Sequence, residues 1–296
     1  MAGAGVREYK RRIRSIKNTQ QITKAMEAVA AAKLRKAQEK AQASRPYTEI
    51  LQETLIRLAG VAYEISHPLL EKREDIRKVG YVVVTSDRGL CGAYNSNIMR
   101  AANLAIEKDE RNIENAIIAV GRKGRDFYRK RVGLEAEFIN IGDNATYSDA
   151  REIGQYIINA YENEELDEVY LVYAHFVSIM RNIPTVKKLL PIEPQVVEGE
   201  EPKEEQFVDF IYEPSAEEIL LALLPRHIGS QIYHAMLEAK ASEHGSRMTA
   251  MSSATKNAGE MIGALTLEMN KARQAAITEE ILDIVGGAEA LSKGGK

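Results

Sequence analysis

Cysteine is almost missing: Cys91 stands alone in a chain of 296 residues. No disulfide can form within one chain, so a cysteine-stapled fold is excluded and nothing points to secretion. Long apolar runs are missing too. No segment approaches the roughly 20 apolar residues that span a bilayer. The basic N-terminus MAGAGVREYKRRIRS lacks the apolar core of a signal peptide. A soluble chain is expected, or one held at a membrane by something else. Positive charge is not in excess overall. The formal net charge is −3, which argues against nucleic-acid binding by the chain as a whole.

Catalytic patterns are also lacking. The histidines His67, His175, His227, His234 and His244 show no zinc-ligand spacing with cysteine. His234 and Glu238 lie one helical turn apart and read as a surface pair. Cys91 has apolar neighbours and no histidine close in sequence, so it reads as a buried structural thiol. Neither G-x-G-x-x-G nor G-x-x-x-x-G-K-[ST] occurs. TSDRGLCGAYNSN (85–97) does sit between a strand and a helix, where α/β folds bind ligands. Its glycines either cradle phosphate or make tight turns. With no triad and no carboxylate dyad, the expectation is no catalytic residue, no metal and no cofactor.

What is present is helix at both ends. Positions Ile13, Ile16, Gln20, Thr23, Glu27, Ala30, Leu34, Ala37, Ala41, Ser44, Thr48, Leu51, Leu55 and Leu58 step alternately by three and four, a heptad seam. Several of them are small and several polar. Pro46 should kink this helix or mark a joint. Met251, Thr255, Ala258, Ile262, Leu265, Met269, Ala272 and Ala276 repeat the pattern, and no proline lies between Arg226 and Val285. The helices would be about 80 and 90 Å long at 1.5 Å per residue. They most simply bury their seams against each other. The C-terminal helix would be the longer of the two. Its last stretch, MNKARQAAITEEILDIVGGAEA (269–290), carries a stripe of Ile277, Ile281, Ile284 and Ala288 with nothing after it to cover the stripe. That tip calls for another chain.

The middle changes period. RKVGYVVVTSD (77–87), NAIIAVG (115–121), LEAEFINIG (134–142) and DEVYLVYAHFV (167–177) read as strands. SNIMRAANLAIEK (96–108), RKGRDFYRKR (122–131) and SDAREIGQYIINAYEN (148–163) read as helices, the last capped by Ser148. Alternation of this kind implies a mostly parallel sheet. The acidic stretch 191–206 reads as a solvated loop. The predicted division is 1–60 (helix), 75–210 (α/β domain) and 215–288 (helix). Charge is also local: residues 7–45 hold twelve basic side chains against three acidic ones. A helix so charged, with Tyr9 its one aromatic and no bulky apolar face, suits an acidic protein partner or a solvated face.

RIRSIKNTQQITKAMEAVAAAKLRKAQ (12–38), TSDRGLCGAYNSN (85–97), ASEHGSRMTAMSSATKNA (241–258) and ARQAAITEEILDIVGGAEA (272–290) together resemble the γ subunit of the bacterial rotary ATP synthase, over essentially the whole chain. The last block is the most specific, through Ile277, Thr278, Glu280, Asp283, Gly287, Ala288 and Ala290. The resemblance implies an antiparallel two-helix coiled coil from the N- and C-terminal segments with a central Rossmann-like α/β domain. It implies a rotor shaft turning inside three α and three β subunits, with its foot on ε and the c-ring at the cytoplasmic face of the plasma membrane. Catalysis would lie on β, making this chain a non-catalytic subunit. The matching positions are Lys24, Met26, Arg247, Gln274, Thr278 and Asp283 for contacts with β. Ile277 and Ile281 would be the tip's bearing surface, and Tyr212 and Glu213 foot contacts to ε and the c-ring. No cysteine pair of the chloroplast thiol switch is present. A coiled-coil scaffold, and a nucleotide-binding α/β enzyme with helical arms centred on Ser86–Asn95, are the rival readings.

Overall fold

The computed structural model describes residues 2–61, 67–111, 113–131, 133–193 and 212–293. Most of the acidic stretch, 194–206, lies outside the described residues. The chain forms two compact units, Met1–Val29 with Met248–Lys296, and Ala30–Arg247. This partition differs from a division at the helix–sheet boundaries, because the inner parts of both end helices group with the sheet.

The α/β unit is built on a five-stranded sheet. Strands β1 (Lys78–Val84), β2 (Glu114–Val120), β3 (Ala136–Phe138), β4 (Glu168–Ser178) and β5 (Arg181–Leu190) lie in the order β3-β2-β1-β4-β5. The first four are mutually parallel and β5 returns antiparallel to β4. Helices α2 (Tyr94–Glu107), α3 (Arg122–Tyr128) and α4 (Tyr147–Glu162) make the crossovers. Alternation within one strand divides the two faces. Val79, Tyr81 and Val83 pack with Ile98 and Ala102 of α2 and Tyr128 of α3. Val82 and Val84 face the larger core, with Ile153 and Ile157 of α4. That core also takes Leu55 and Leu58 of α1 (Ala2–Val61) and Leu220, Leu224 and Ile228 of α5 (Ala216–Lys293). A sheet buried on both sides needs near-continuous apolar strands, as YVVV and IIAV are.

Four sequence expectations change. The strand expected over 134–142 shrinks to three residues: β3 is an edge that pairs only with β2, and Asn140 (φ 66°) and Gly142 (φ 72°) turn the backbone away. Strand β5 has no counterpart among the expected strands. It carries Pro184, which an edge strand tolerates because one row of its N–H groups has no ladder partner. Helix α4 is capped by Thr146, not Ser148, in a reciprocal capping box with Asp149. Helix α1 continues through Pro46, which is exposed, so no joint between helices falls there.

One carboxylate fastens the start of β1 to the start of β4. Asp167 Oδ2 accepts from the backbone N–H of Arg77 (2.7 Å) and Lys78 (2.8 Å), and Oδ1 accepts from Arg73 Nη1 (2.6 Å). Burial alone would raise its pKa, but these donors bring it below the usual carboxylate value. Because the folded pKa is depressed, the stabilisation is present above the unfolded value of about 3.9 and is lost as pH falls through the folded value. Asp167→Asn is expected to lower stability by about 1.5–3 kcal/mol at neutral pH. The gap between variant and wild type should close below about pH 4. Urea melts across pH measure it, and a gap independent of pH would contradict the assignment.

In the other unit the covered positions of α1 include Ile13, Ile16, Gln20, Thr23 and Glu27, each on the heptad steps, with Met26 half-buried beside them. Those of α5 include Met251, Thr255, Ala258, Ile262, Leu265, Met269, Ala272 and Ala276. Gln20 Nε2 donates to the carbonyl of Thr255 (3.3 Å) and a Cβ on Gly259 would lie 3.1 Å from the same nitrogen. Thr23 Oγ1 meets Thr255 Oγ1 at 2.8 Å. A step forward along α1 is a step back along α5, so the two segments run antiparallel. Two of the polar seam residues, Gln20 and Thr23, thus bond across the seam to Thr255.

Candidate functional site

The covered positions of α5 stop at Ala276. From Ile277 to Ala288 every residue is exposed. Ile277 is 49% exposed, Ile281 55%, Leu282 65%, Ile284 71% and Val285 55%. Five bulky apolar side chains on about three turns of bare helix form a patch that a soluble chain seldom leaves to water. The sequence stripe names Ile277, Ile281 and Ile284. Leu282 and Val285 widen it, and no periodicity argument shows that they lack cover. Gln274, Thr278 and Asp283 are exposed on the same segment. Lys24 is exposed on α1.

Arg247 differs from these. It is 8% exposed and belongs to the α/β unit. Its guanidinium donates to Glu243 Oε1 (2.7 Å) and to the carbonyl of Gly89 (3.2 Å), and meets His244 Nδ1 at 3.1 Å. Tyr212 is half-buried and packs on the larger sheet core, while Glu213 is exposed.

The 85–97 segment is held from within. Ser86 Oγ donates to the carbonyl of Arg88 (2.6 Å), and Asn95 Oδ1 accepts from Ser86 N (3.0 Å). Cys91 is 2% exposed and its thiol is pushed up by burial, with Ser86 working against the shift. Gly92 (φ 58°) and Gly121 (φ 100°) make the tight turns. Helix α5 crosses the strand ends where open α/β sheets hold ligands. Tyr94 Oη donates to the carbonyl of Ala239 (3.0 Å) and Ser242 Oγ to that of Ala174 (3.0 Å). The crevice is lined by protein packed on protein.

The His234–Glu238 pair is not on the surface. Glu238 is 3% exposed, and its oxygens meet His234 Nε2 (3.1 Å) and His175 Nδ1 (2.6 Å). Helical spacing shows that pair but not the strand β4 packed over it. Among the described residues no group of three or more histidine, cysteine or acidic side chains is arranged to hold a metal ion. Among the same residues, no helix is long and apolar enough to cross a membrane.

Comparison with known proteins follows the same lines. A family model described as ATP synthase matches residues 5–291. The ATP synthase gamma chain of Desulfitobacterium hafniense is 53% identical over 289 residues, covering 97% of this chain and 99% of that one. The gamma chain of Pelotomaculum thermopropionicum is 52% identical over 287 residues, covering 97% and 99%. Among solved structures, a chain of the Euglena gracilis mitochondrial ATP synthase (OSCP/F1/c-ring) superposes with a TM-score of 0.69 at 20% identity, covering 99% of this chain and 97% of that one. A chain of the Tetrahymena thermophila mitochondrial ATP synthase central stalk and c-ring gives a TM-score of 0.60 at 24% identity, covering 79% and 99%. Those two likenesses are of fold. With the sequence relatives matched from end to end, this chain belongs to the ATP synthase gamma chain family.

Proposed function

We propose that this chain is the central rotor shaft of a rotary ATP synthase, carrying rotation of a membrane-embedded c-ring to catalytic β subunits. The two end helices wind as an antiparallel coiled coil, and the bare end of α5 turns inside a collar of three α and three β subunits. The observation that carries the reading is the abrupt end of cover on α5 at Ala276, followed by five exposed bulky apolar residues. A helix end of that kind is a bearing surface for other chains, and the family supplies which chains.

Within this reading Ile277 and Ile281 bear on the collar, while Lys24, Met26, Gln274, Thr278 and Asp283 contact β. Their exposed or half-buried state leaves them free to exchange partners as the shaft turns. Arg247 belongs to the same proposed set, and in the free chain it holds Glu243 and the Gly89 carbonyl. Tyr212 and Glu213 lie at the foot, toward ε and the c-ring. The chain binds no cofactor and catalyses nothing itself. It is peripheral at the cytoplasmic face of the bacterial membrane, held there through the c-ring.

The test is assembly. Mixed with α, β and ε subunits, the chain should enter one stable complex, and a bead fixed to it should rotate while ATP is hydrolysed. Elution as a free chain with no effect on hydrolysis would remove the reading.

A further inference from the structure

The α/β unit grips both of its long helices through one short loop. Asp143, between β3 and α4, accepts from Lys33 Nζ of α1 at 2.7 Å. Its other oxygen lies 3.3 Å from His244 Nε2 of α5, off the line of a full hydrogen bond. Next to it Asn144 Oδ1 accepts from Lys40 Nζ, again on α1 (3.3 Å). A single carboxylate therefore touches two helices whose contacting residues are far apart in sequence. It does so where Leu34 and Ala37 of α1 pack with Ala241 of α5 and Phe176 of β4.

The network continues across α5. Arginine has no acceptor, so its contact with His244 Nδ1 requires that nitrogen to be the unprotonated one. The ring's proton is then on Nε2, facing Asp143. Burial lowers the pKa of His244, in keeping with a neutral ring. Arg247 holds Glu243 on its own helix and the Gly89 carbonyl in the loop after β1. Hydrogen bonds thus tie the β1–α2 loop to α5 and the β3–α4 loop to α1, and His244 Nε2 lies against Asp143 where the two sets meet. Burial would raise the pKa of Asp143, but Lys33, with Lys240 adding to it, holds the pKa below the usual carboxylate range.

We propose that Asp143, with Lys33 and His244, is a torque clasp: a positioning group that locks α1 and α5 to the α/β domain so that rotation of the domain turns both helices together. The proposal rests on the shaft reading. Apolar packing resists separation of the elements but is non-directional. A short ion pair to α1, made by a carboxylate that also lies against His244 of α5, resists sliding of the two helices past each other. The pair is about one-third exposed, 35% at Lys33 and 36% at Asp143. Such pairs add little to folding stability, so the clasp can be removed without unfolding the chain.

The experiment uses the assembled synthase in vesicles. Asp143→Ala should enter the complex with an unchanged melting temperature, yet pump roughly two- to tenfold fewer protons per ATP hydrolysed. Angular fluctuations of a bead on the stalled shaft should widen. The exchanged pair Lys33→Asp with Asp143→Lys should recover part of both losses. Wild-type coupling and wild-type fluctuation in Asp143→Ala would overturn the clasp while leaving the shaft reading intact. Failure of the wild-type chain to assemble or rotate would instead overturn the shaft reading. A lowered melting temperature with no change in fluctuation would assign the pair a structural role only, and so would also overturn the clasp.

Discussion

Gln274→Ala or Thr278→Ala in the assembled complex lowers the protons pumped per ATP hydrolysed several-fold, while the isolated chain melts as wild type. The folded-state half follows from exposure. Both side chains are exposed and neither appears in a hydrogen bond of its own chain among the described contacts. Surface substitutions of this kind stay within about 0.5 kcal/mol. The coupling half follows from the partner. A hydrogen bond to another chain contributes about 0.5–1.5 kcal/mol net, and about 1–3 where its loss strands a buried group. Because 1.36 kcal/mol is tenfold in rate, losing one such contact changes a rotation-linked step by about two- to tenfold. Proton pumping and ATP hydrolysis measured in the same vesicles give the ratio. Wild-type coupling in both variants would remove these residues from the contact set. A large fall in melting temperature would show that they support the fold instead.

Gly121→Ala abolishes the stable α/β unit. Gly121 ends β2 at φ 100° and ψ 146°, a conformation that side-chain-bearing residues rarely adopt. A Cβ there would lie 2.3 Å from the carbonyl oxygen of Thr85 and 2.8 Å from its carbon, both backbone atoms with no room to yield. Three bonds keep them in place. Thr85 N donates to the carbonyl of Val120 (2.8 Å), Gly121 N donates to that of Phe138 (2.8 Å), and Gly124 N donates to Thr85 Oγ1 (2.9 Å). Relief would require breaking the junction of β1, β2 and β3. The expected cost exceeds about 4 kcal/mol, in the exceptional range for one substitution. Gly133 is the control: its φ is 89°, but a Cβ there meets nothing within 4 Å. Gly133→Ala should therefore cost only the backbone strain, about 1–3 kcal/mol. Urea unfolding of both variants separates space from strain, and equal costs would refute the argument from close approach.

Periodicity is a property of the chain alone, and it carried far. The heptad steps from Ile13 to Leu58 and from Met251 to Ala276 pick out positions that are buried or half-buried in the folded chain. The apolar runs YVVV and IIAV are strands β1 and β2. A repeat of 3.5 or of 2 is written in local order, so it survives without knowledge of the partner. The exposed stripe at Ile277, Ile281 and Ile284 was legible for the same reason, and the family resemblance rested on four blocks of local sequence.

Only the tertiary structure decided where those patterns stop and what they touch. No periodicity shows that cover ends at Ala276, because cover comes from α1, more than two hundred residues earlier in the chain. Strand β5 was illegible because an edge strand accepts proline and charge that a central strand refuses. Glu238 passed for half of a surface pair until β4 brought His175 over it. Arg247 matched a contact position by sequence, and its internal partners became visible only when the Gly89 loop folded against it. Asp143 carried no signal at all. Lys33 and His244 lie 110 and 101 residues away in sequence, and an ion pair across such a separation has no local pattern.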